Sequence, residues 1–485
     1  MDKILEGILL STKVTKSVIE TRIRHSITGK KYPKRTFYIL LKKYADDFLT
    51  NGYEPRMIGL AGLRGTGKTT LMWQIAEYIF KNKEIPVYFF NVDIIKTASY
   101  SLFEVLQGFQ KIILKKEFRK LQEPIVFLFD EVHEDAEWAK TLKILYDEAR
   151  TAFIVCTGSS ALLIQQTADL ARRMKIERVY PFKFIEFITA KSFYEREEKI
   201  FPERNLSNEI KNALFFSPTL NDAYEGIQKI SNKIENYFNK VNKVFSGYKG
   251  NLISEYIKYH NIPSFLEYRE KSAIFDSILD LLKRVINEDI PKLKKNAKGK
   301  SVGENEKILK LLLQLAISDE INLYTLSQKT GIKKDEIEFF LDILNGSEVV
   351  NIFNPYGGKE ARIWKNKKIF FMSPSIRLSL LSSIYGDRIT KEMEGKLYED
   401  IVAMYIRRIL DNNVMILTSK NIKKPDFVIE TMEKPLLLEV GISKTTSDQF
   451  SNIDCRYGIL VSNGIKEIEK NRKYLKLPLK WFLLM

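Results

Sequence analysis

Cysteine is almost missing from this chain, and where it occurs it excludes more than it supports. Only Cys156 and Cys455 are present, far apart and outside any CxxC pair. That argues against a disulfide framework or a cysteine-based zinc site, and the expectation is a reducing, cytoplasmic setting. Histidine is as scarce, with three in all, so no histidine cluster for a metal can be assembled. His133 then reads as a packing or hydrogen-bonding residue. Long apolar runs are also lacking: no stretch approaches the ~20 residues that span a bilayer. The opening MDKILEGILLSTKVTK has too short an apolar segment for a signal peptide. The expected chain is soluble, with no membrane partner.

What the sequence does have is positive charge. The formal net charge is +17 and the pI about 9.3, with 45% hydrophobic and 29% charged residues. That composition is globular, and the excess charge points to a polyanion, DNA first, because phosphate backbones reward diffuse Lys/Arg surfaces. The competing reading is compositional: AT-rich or thermophilic genomes enrich Lys, Ile, Asn, Tyr and Phe without any nucleic-acid role. At 485 residues the chain exceeds one core, so several domains are expected.

The expected fold class is α/β, a parallel sheet core followed by a helical region, a winged helix and a small α/β domain. Residues 1–55 form a basic N-terminal segment that ends in a helix over 36–50. Residues 56–190 alternate buried strands (RMIGLA, VYFFNVD, IVFLFDE, TAFIVCTGSS) with helical stretches over 68–80, 102–120 and 138–150. Apolar runs of strand length separated by helix-period segments indicate a parallel sheet covered on both faces. Residues 191–300 read as helical and end in a basic linker, KLKKNAKGKSVGEN. Residues 301–385 follow the order helix, short helix, glycine turn, helix and a two-stranded ribbon with Gly357-Gly358 at its tip, the layout of a winged helix-turn-helix. Residues 386–485 begin with a helix near Gly395 and continue as strands.

The chemistry concentrates in GLRGTGKT, which matches G-x-x-x-x-G-K-[ST] with Gly62, Gly67, Lys68 and Thr69 at the fixed positions. Such a loop cradles phosphates with backbone N–H groups at a helix N-terminus. The cradle spans Gly62, Leu63, Arg64, Gly65, Thr66, Gly67, Lys68, Thr69 and Thr70. Lys68 reaches the β/γ-phosphates, and the Thr69 hydroxyl takes Mg²⁺. VFLFDE then sets Asp130 and Glu131 at the end of a buried strand. A carboxylate there needs a cation, which assigns Asp130 to the Mg²⁺ shell and Glu131 to polarising the attacking water. No N-K-x-D-type loop is evident, so ATP and not GTP is the expected nucleotide. Thr157 or Ser159, ending the strand FIVCTGSS, either senses the γ-phosphate or caps the next helix. Arg172 and Arg173 are either sensor or finger arginines, supplied across a homo-oligomer, or solvated surface residues.

LRGTGKTTLMWQIA, FLFDEVHEDAEWAKTLKILYDEARTAFIVCTGSSALLI and RVYPFKFIEF together resemble the prokaryotic and archaeal AAA-type ATPases whose C-terminal half carries a nuclease-like domain. The motifs are specific from Arg56 to Phe187 and looser beyond. The resemblance implies an AAA-like ATPase core, a helical lid and a restriction-endonuclease-like (PD-(D/E)xK-type) end. For that fold Glu399 matches the helix acid, Asp426 the strand-start acid and Glu439 the acid of E-x-K. The lysine position holds Gly441, and Lys444 reaches back only if the strand bends or ends at that glycine. The missing lysine favours an inactive binding fold over an active nuclease. Lys420, Lys423 and Lys424 precede Asp426 and suit a phosphate backbone in both cases, as do Arg362, Lys365, Lys367 and Lys368 of the wing. In the recognition helix, Lys333 and Lys334 lead into an acidic middle that suits DNA poorly and a protein partner better.

The expected activity is Mg²⁺-dependent ATP hydrolysis that switches DNA-contacting domains. The alternatives are an ATP-controlled DNA endonuclease and a protein-binding signalling switch that contacts no nucleic acid.

Overall fold

The computed structural model describes residues 2–158, 170, 172–290, 304–318, 322–357, 367–386, 388–410, 414–415, 424–450 and 454–485. Ser159, Gly358, Arg362, Lys365, Lys420, Lys423 and the linker lysines lie outside the described residues. The chain divides into two compact units, Met1–Tyr180 and Pro181–Met485.

The first unit is built on a five-stranded sheet in the order β2-β3-β4-β1-β5, every pairing parallel. The strands are β1 (Met57–Ala61), β2 (Val87–Asn91), β3 (Ile125–Asp130), β4 (Ala152–Gly158) and β5 (Lys175–Arg178). β1, β3 and β4 are buried along their whole length, as parallel strands covered on both faces must be. Their side chains divide by the two-residue period of a strand. Ile125, Phe127 and Phe129 enter one core with Ile154 and Cys156. Val126 and Leu128 enter the other with Ile58, Leu60 and Val155.

Residues 1–55 belong to this same unit and supply helices to both faces. Leu9 of α1 (Lys3–Ser11) joins the first core beside Ile95 of α5 (Val92–Thr97), α6 (Leu102–Phe109) and α7 (Trp138–Glu148). Ile19 of α2 (Lys16–Arg22) and Tyr38, Leu41 and Ala45 of α3 (Thr36–Asn51) join the second, with Leu71, Ile75 and Ile79 of α4 (Lys68–Asn82). Each buried leucine or isoleucine among them contributes about 1.5–3 kcal/mol by leaving water. Between α1 and α2 the chain runs antiparallel to β2, with a bridge from Lys13 to Tyr88. The N–H of Phe89 donates to Thr12 O at 2.8 Å and that of Val14 to Val87 O at 3.0 Å. This covers an edge that would otherwise expose unpaired amides.

The helix expected over 102–120 is shorter. Ser101 and Glu104 form its capping box, but α6 stops at Phe109 and passes into a π turn, Gln110–Leu114, closed by Lys115 in the left-handed region. The reason is Phe118, which is buried against Phe109 and Phe127. A straight helix would carry it away from that core. Gln110 secures the reversal by accepting the Phe118 N–H at 2.8 Å.

The second unit is helical from Phe184–Arg196 onward. Its longest described helix, Leu220–Val244, starts at a Thr219–Asp222 capping box and buries Ala223, Ile227, Ile230, Ile234, Tyr237 and Val241, a stripe at helical spacing. Glu304–Ile317, Leu323–Thr330 and Lys334–Gly346 follow, the second ending at Gly331 with φ +72°. Strands β6 (Val350–Phe353) and β7 (Lys368–Phe371) pair antiparallel as a ribbon. Helix Lys391–Leu410 packs against a six-stranded mixed sheet in the order β12-β13-β11-β10-β9-β8. Its strands are β8 (Val414–Met415), β9 (Phe427–Ile429), β10 (Leu436–Gly441), β11 (Gly458–Ser462), β12 (Glu469–Lys470) and β13 (Tyr474–Pro478). No helix among the described residues is long and apolar enough to cross a membrane.

Candidate nucleotide site

The loop between β1 and α4 needs its glycines for separate reasons. A Cβ on Gly62 would lie 2.4 Å from the Val179 carbonyl oxygen, so the loop passes that strand extension only without a side chain. Gly65 and Gly67 have φ of +83° and +85°, the left-handed region that glycine enters freely. The loop is then braced. Thr66 Oγ1 donates to Leu63 O at 2.8 Å, and Val179 N–H donates to Ala61 O at 2.7 Å. Lys68 is buried, its Nζ donating to the carbonyls of Gly62 (2.8 Å) and Leu63 (3.2 Å). Arg35 was legible only as one of many basic residues. Its guanidinium reaches the Thr66 carbonyl at 2.6 Å and the Tyr180 carbonyl at 2.9 Å, tying the loop from outside the motif.

Parallel pairing of β1, β4 and β3 brings three strand ends together. Leu60 is in register with Thr157, and Ala61 with Gly158. Asp130 ends β3, and Thr69 Oγ1 stands 3.0 and 3.2 Å from its two carboxylate oxygens. The Thr157 hydroxyl donates to Asp130 and accepts the Glu131 N–H at 3.0 Å. Burial raises the Asp130 carboxyl above its ordinary pKa; the Thr157 and Thr69 hydroxyls and Lys68 oppose the shift, and the Glu131 charge adds to it. Glu131 sits at φ +54°, a strained position for a residue with a Cβ, and its side chain is a third exposed. His133 lies fully buried beside it.

The other candidates fall elsewhere. Arg173 binds Asp147 through two contacts of 2.8 and 3.0 Å, and Arg172 is exposed. In the second unit, β10 ends at Gly441, and Lys444 folds back over it so that its ammonium pairs with the buried Glu439, which Ser447 also contacts. Asp426 accepts the Val440 N–H at 2.8 Å. Glu399 pairs at 2.7 Å with Lys368 of β7. That lysine was read as a wing residue facing a duplex, and its contact with Glu399 was not visible in the sequence. The crowding of protein atoms around Asp426, together with the Glu399 charge, pushes its carboxyl up to about 7; Lys368 and Lys444 pull the other way. Among the described residues no group of three His, Cys, Asp or Glu side chains is set to hold a metal ion by itself.

Residues 54–188 match a family model described as AAA domain. Over 465 residues the chain is 28% identical to an uncharacterized protein of Methanocaldococcus jannaschii, MJ1637, covering 94% of this chain and 90% of that one. Two solved structures also align at low similarity. Cdc6p from Pyrobaculum aerophilum has 12% identity and a TM-score of 0.29, over 77% of this chain and 99% of that one. The Orc1 protein of Aeropyrum pernix, in complex with DNA, has 11% identity and a TM-score of 0.30, over 81% and 98%. The parallel sheet with its glycine loop is a P-loop NTPase core, and the segment that holds it is similar to AAA domains.

Proposed function

We propose that the chain is a Mg²⁺-dependent ATPase that binds ATP on Gly62–Thr70 and hydrolyses it with Glu131 as the base. The observation that carries this reading is the junction at Thr157, where one hydroxyl holds both the Asp130 carboxylate and the Glu131 N–H. It holds the Asp130 carboxylate and the Glu131 backbone beside the loop that would hold the phosphates. Lys68 already sits at that loop, on carbonyls that phosphate oxygens can replace as partners of its ammonium.

The cation fits on the chemistry of its donors. Thr69 and Asp130 offer a hydroxyl and a carboxylate within 3.2 Å of each other, both oxygen ligands of the kind Mg²⁺ prefers. The raised Asp130 carboxyl gains most from a nearby positive charge. Thr69 and Asp130 would hold Mg²⁺, which would supply positive charge to offset that of the phosphates. Glu131 takes a proton from the attacking water, and Lys68 steadies charge on the phosphates.

In this reading residues 191–300 act as a helical lid, 301–385 as a winged helix and 386–485 as a nuclease-like domain that contacts DNA without cutting it. Nucleotide turnover repositions these parts, as phosphate-sensing switches do. The net charge of +17 supports a DNA partner. The endonuclease reading is favoured by the Lys444–Glu439 pair, which returns a lysine to the acid of E-x-K. The protein-switch reading is favoured by helix Lys334–Gly346, whose exposed residues include Asp335, Glu338 and Asp342 against Lys334 and the preceding Lys333.

ATP hydrolysis measured with and without duplex DNA tests the proposal. Lys68→Ala is expected to abolish ATP binding, and Glu131→Gln to keep binding while stalling turnover. Undiminished turnover by Glu131→Gln removes that residue from the role of base. Plasmid nicking in Mg²⁺ or Mn²⁺, compared with Asp426→Ala, separates the endonuclease reading. DNA affinity that stays near zero and flat across a salt titration favours the protein switch.

A further inference from the structure

Glu131 occupies a position from which a flexible side chain must be aimed. The backbone there is well anchored: its N–H is held by Thr157, and its carbonyl accepts the Glu134 N–H at 3.0 Å, closing the turn Val132–Glu134. Immediately after the turn, Asp135 is buried and ties it down by accepting the N–H groups of Leu102 and Glu137, each at 2.8 Å. Neither set of contacts fixes the Glu131 carboxylate. That group is partly open to solvent and turns about three side-chain bonds. A base that rotates freely spends little time facing the bond it must break.

The imidazole of His133 stands where such an aim is supplied. Its side chain is fully buried, Nδ1 lies 3.3 Å from Glu131 Oε2, and Nε2 lies 3.3 Å from Glu134 Oε1. The ring is thus set between two carboxylates that leave the same short turn. A neutral imidazole carries one N–H and donates to one of them; a protonated one donates to both. The 3.3 Å separations are longer than a well-formed hydrogen bond, as contacts at reactive centres often are before substrate arrives.

We propose that His133 is a positioning residue, which holds one carboxylate oxygen of Glu131 and leaves the other to face the attacking water, with Glu134 steadying the far side of the ring. This inference rests on the reading of Glu131 as the base. It assigns a role to the second acid of the turn, Glu134, which no phosphate-loop motif includes.

The test uses the full chain, with steady-state ATP hydrolysis and the affinity for a fluorescent ATP analogue measured side by side. His133→Ala is expected to lower kcat about 10- to 100-fold while KM and analogue affinity stay within about twofold. His133→Asn, which keeps one N–H near the Nδ1 position, should recover part of that loss. Glu131→Gln combined with His133→Ala should be no slower than Glu131→Gln alone, because the histidine acts through that carboxylate. An unchanged kcat in His133→Ala overturns the inference, as does a further loss in the double variant. A fall in analogue affinity matching the fall in kcat, in both His133 variants, also overturns it, since it marks a structural role. If Glu131→Gln itself turns over normally, the assignment of the base fails instead, and the two failures are told apart by that single variant.

Discussion

Thr69 and Asp130, 61 residues apart in sequence, meet with 3.0 Å between hydroxyl and carboxylate. The contact joins the phosphate loop to the end of β3 and leaves a buried acid whose partners in the described structure are mainly hydroxyls. Because burial raises the carboxyl, the sign of its contribution is clear. The unfolded chain gives up this proton at a lower pH than the folded one. Above the unfolded value of about 3.9, ionisation therefore costs the folded state, and the cost is absent at lower pH.

Asp130→Asn is accordingly expected to stabilise the nucleotide-free protein near neutral pH while removing Mg²⁺-ATP binding. A gain of about 1 kcal/mol corresponds to a Tm rise of about 2–4 °C for a domain of this size. Thermal melts with and without Mg²⁺-ATP check both parts. A lower Tm in the nucleotide-free variant would count against burial as the cause.

Gly62 and Gly67 should fail differently. Gly62→Ala drives a methyl to 2.4 Å from the Val179 carbonyl, a backbone atom that cannot swing aside, so a loss of about 1–3 kcal/mol is expected. Gly67→Ala meets open space and suffers only from its φ of +85°, a cost of about 1–2 kcal/mol. Chemical denaturation should rank Gly62→Ala as the more damaging, and ATP affinity should fall at least tenfold in that variant. The reverse ranking would mean that the β5 extension yields.

In the second unit Arg377 and Asp400 form an ion pair that is almost wholly buried, with contacts of 2.6 and 2.9 Å. Asp400 also accepts the Phe371 N–H of the ribbon at 2.8 Å, and Arg377 donates to the Ala316 carbonyl at 3.0 Å. Arg377→Ala strands a buried carboxylate and should cost about 3–5 kcal/mol. Arg377→Met combined with Asp400→Leu should cost less than the two single changes added together. Urea unfolding of the three variants measures the difference, and strict additivity would show that the pair is not coupled.

Asp426 predicts a pH dependence. Its folded pKa near 7 exceeds the unfolded value, so its contribution to stability falls as pH rises from about 4 to about 7 and is level outside that window. Asp426→Asn should flatten this part of the melting-temperature profile. Lys368→Met should raise the carboxyl further and Glu399→Gln should lower it, because these residues exert the largest opposing and like charge effects on it. A carbon-detected titration of the Asp426 carboxyl reads the shifts directly. Movement in the opposite sense for either variant would show that the two charges do not act on it.

How much of this was readable beforehand differs from element to element. GLRGTGKT and the Asp130-Glu131 pair were legible because each is a contiguous string whose spacing carries its own chemistry. Strands β1 to β4 were legible because they are short apolar runs, whereas β5, with the polar sequence KIER and exposed or half-buried throughout, was not expected. The early end of α6 was not, since it depends on Phe118 finding Phe109 and Phe127. The helix over 36–50 was legible and is found as α3, but the residues before it gave only a basic impression, because the short helices α1 and α2 lack the long periodicity that would announce a buried face.

Residue order by itself determined the glycine loop between a strand and a helix, the two acids at a strand end and the alternation of strand and helix, since all of these are written in neighbours a few positions apart. The folded chain decided which partners those groups have: Arg35 on Thr66, Thr157 on both acids, Val179 against Gly62, and Lys368 on Glu399. The reason is distance along the chain. Contacts between residues tens or hundreds of positions apart are set by strand register and helix packing, and no local spacing encodes them.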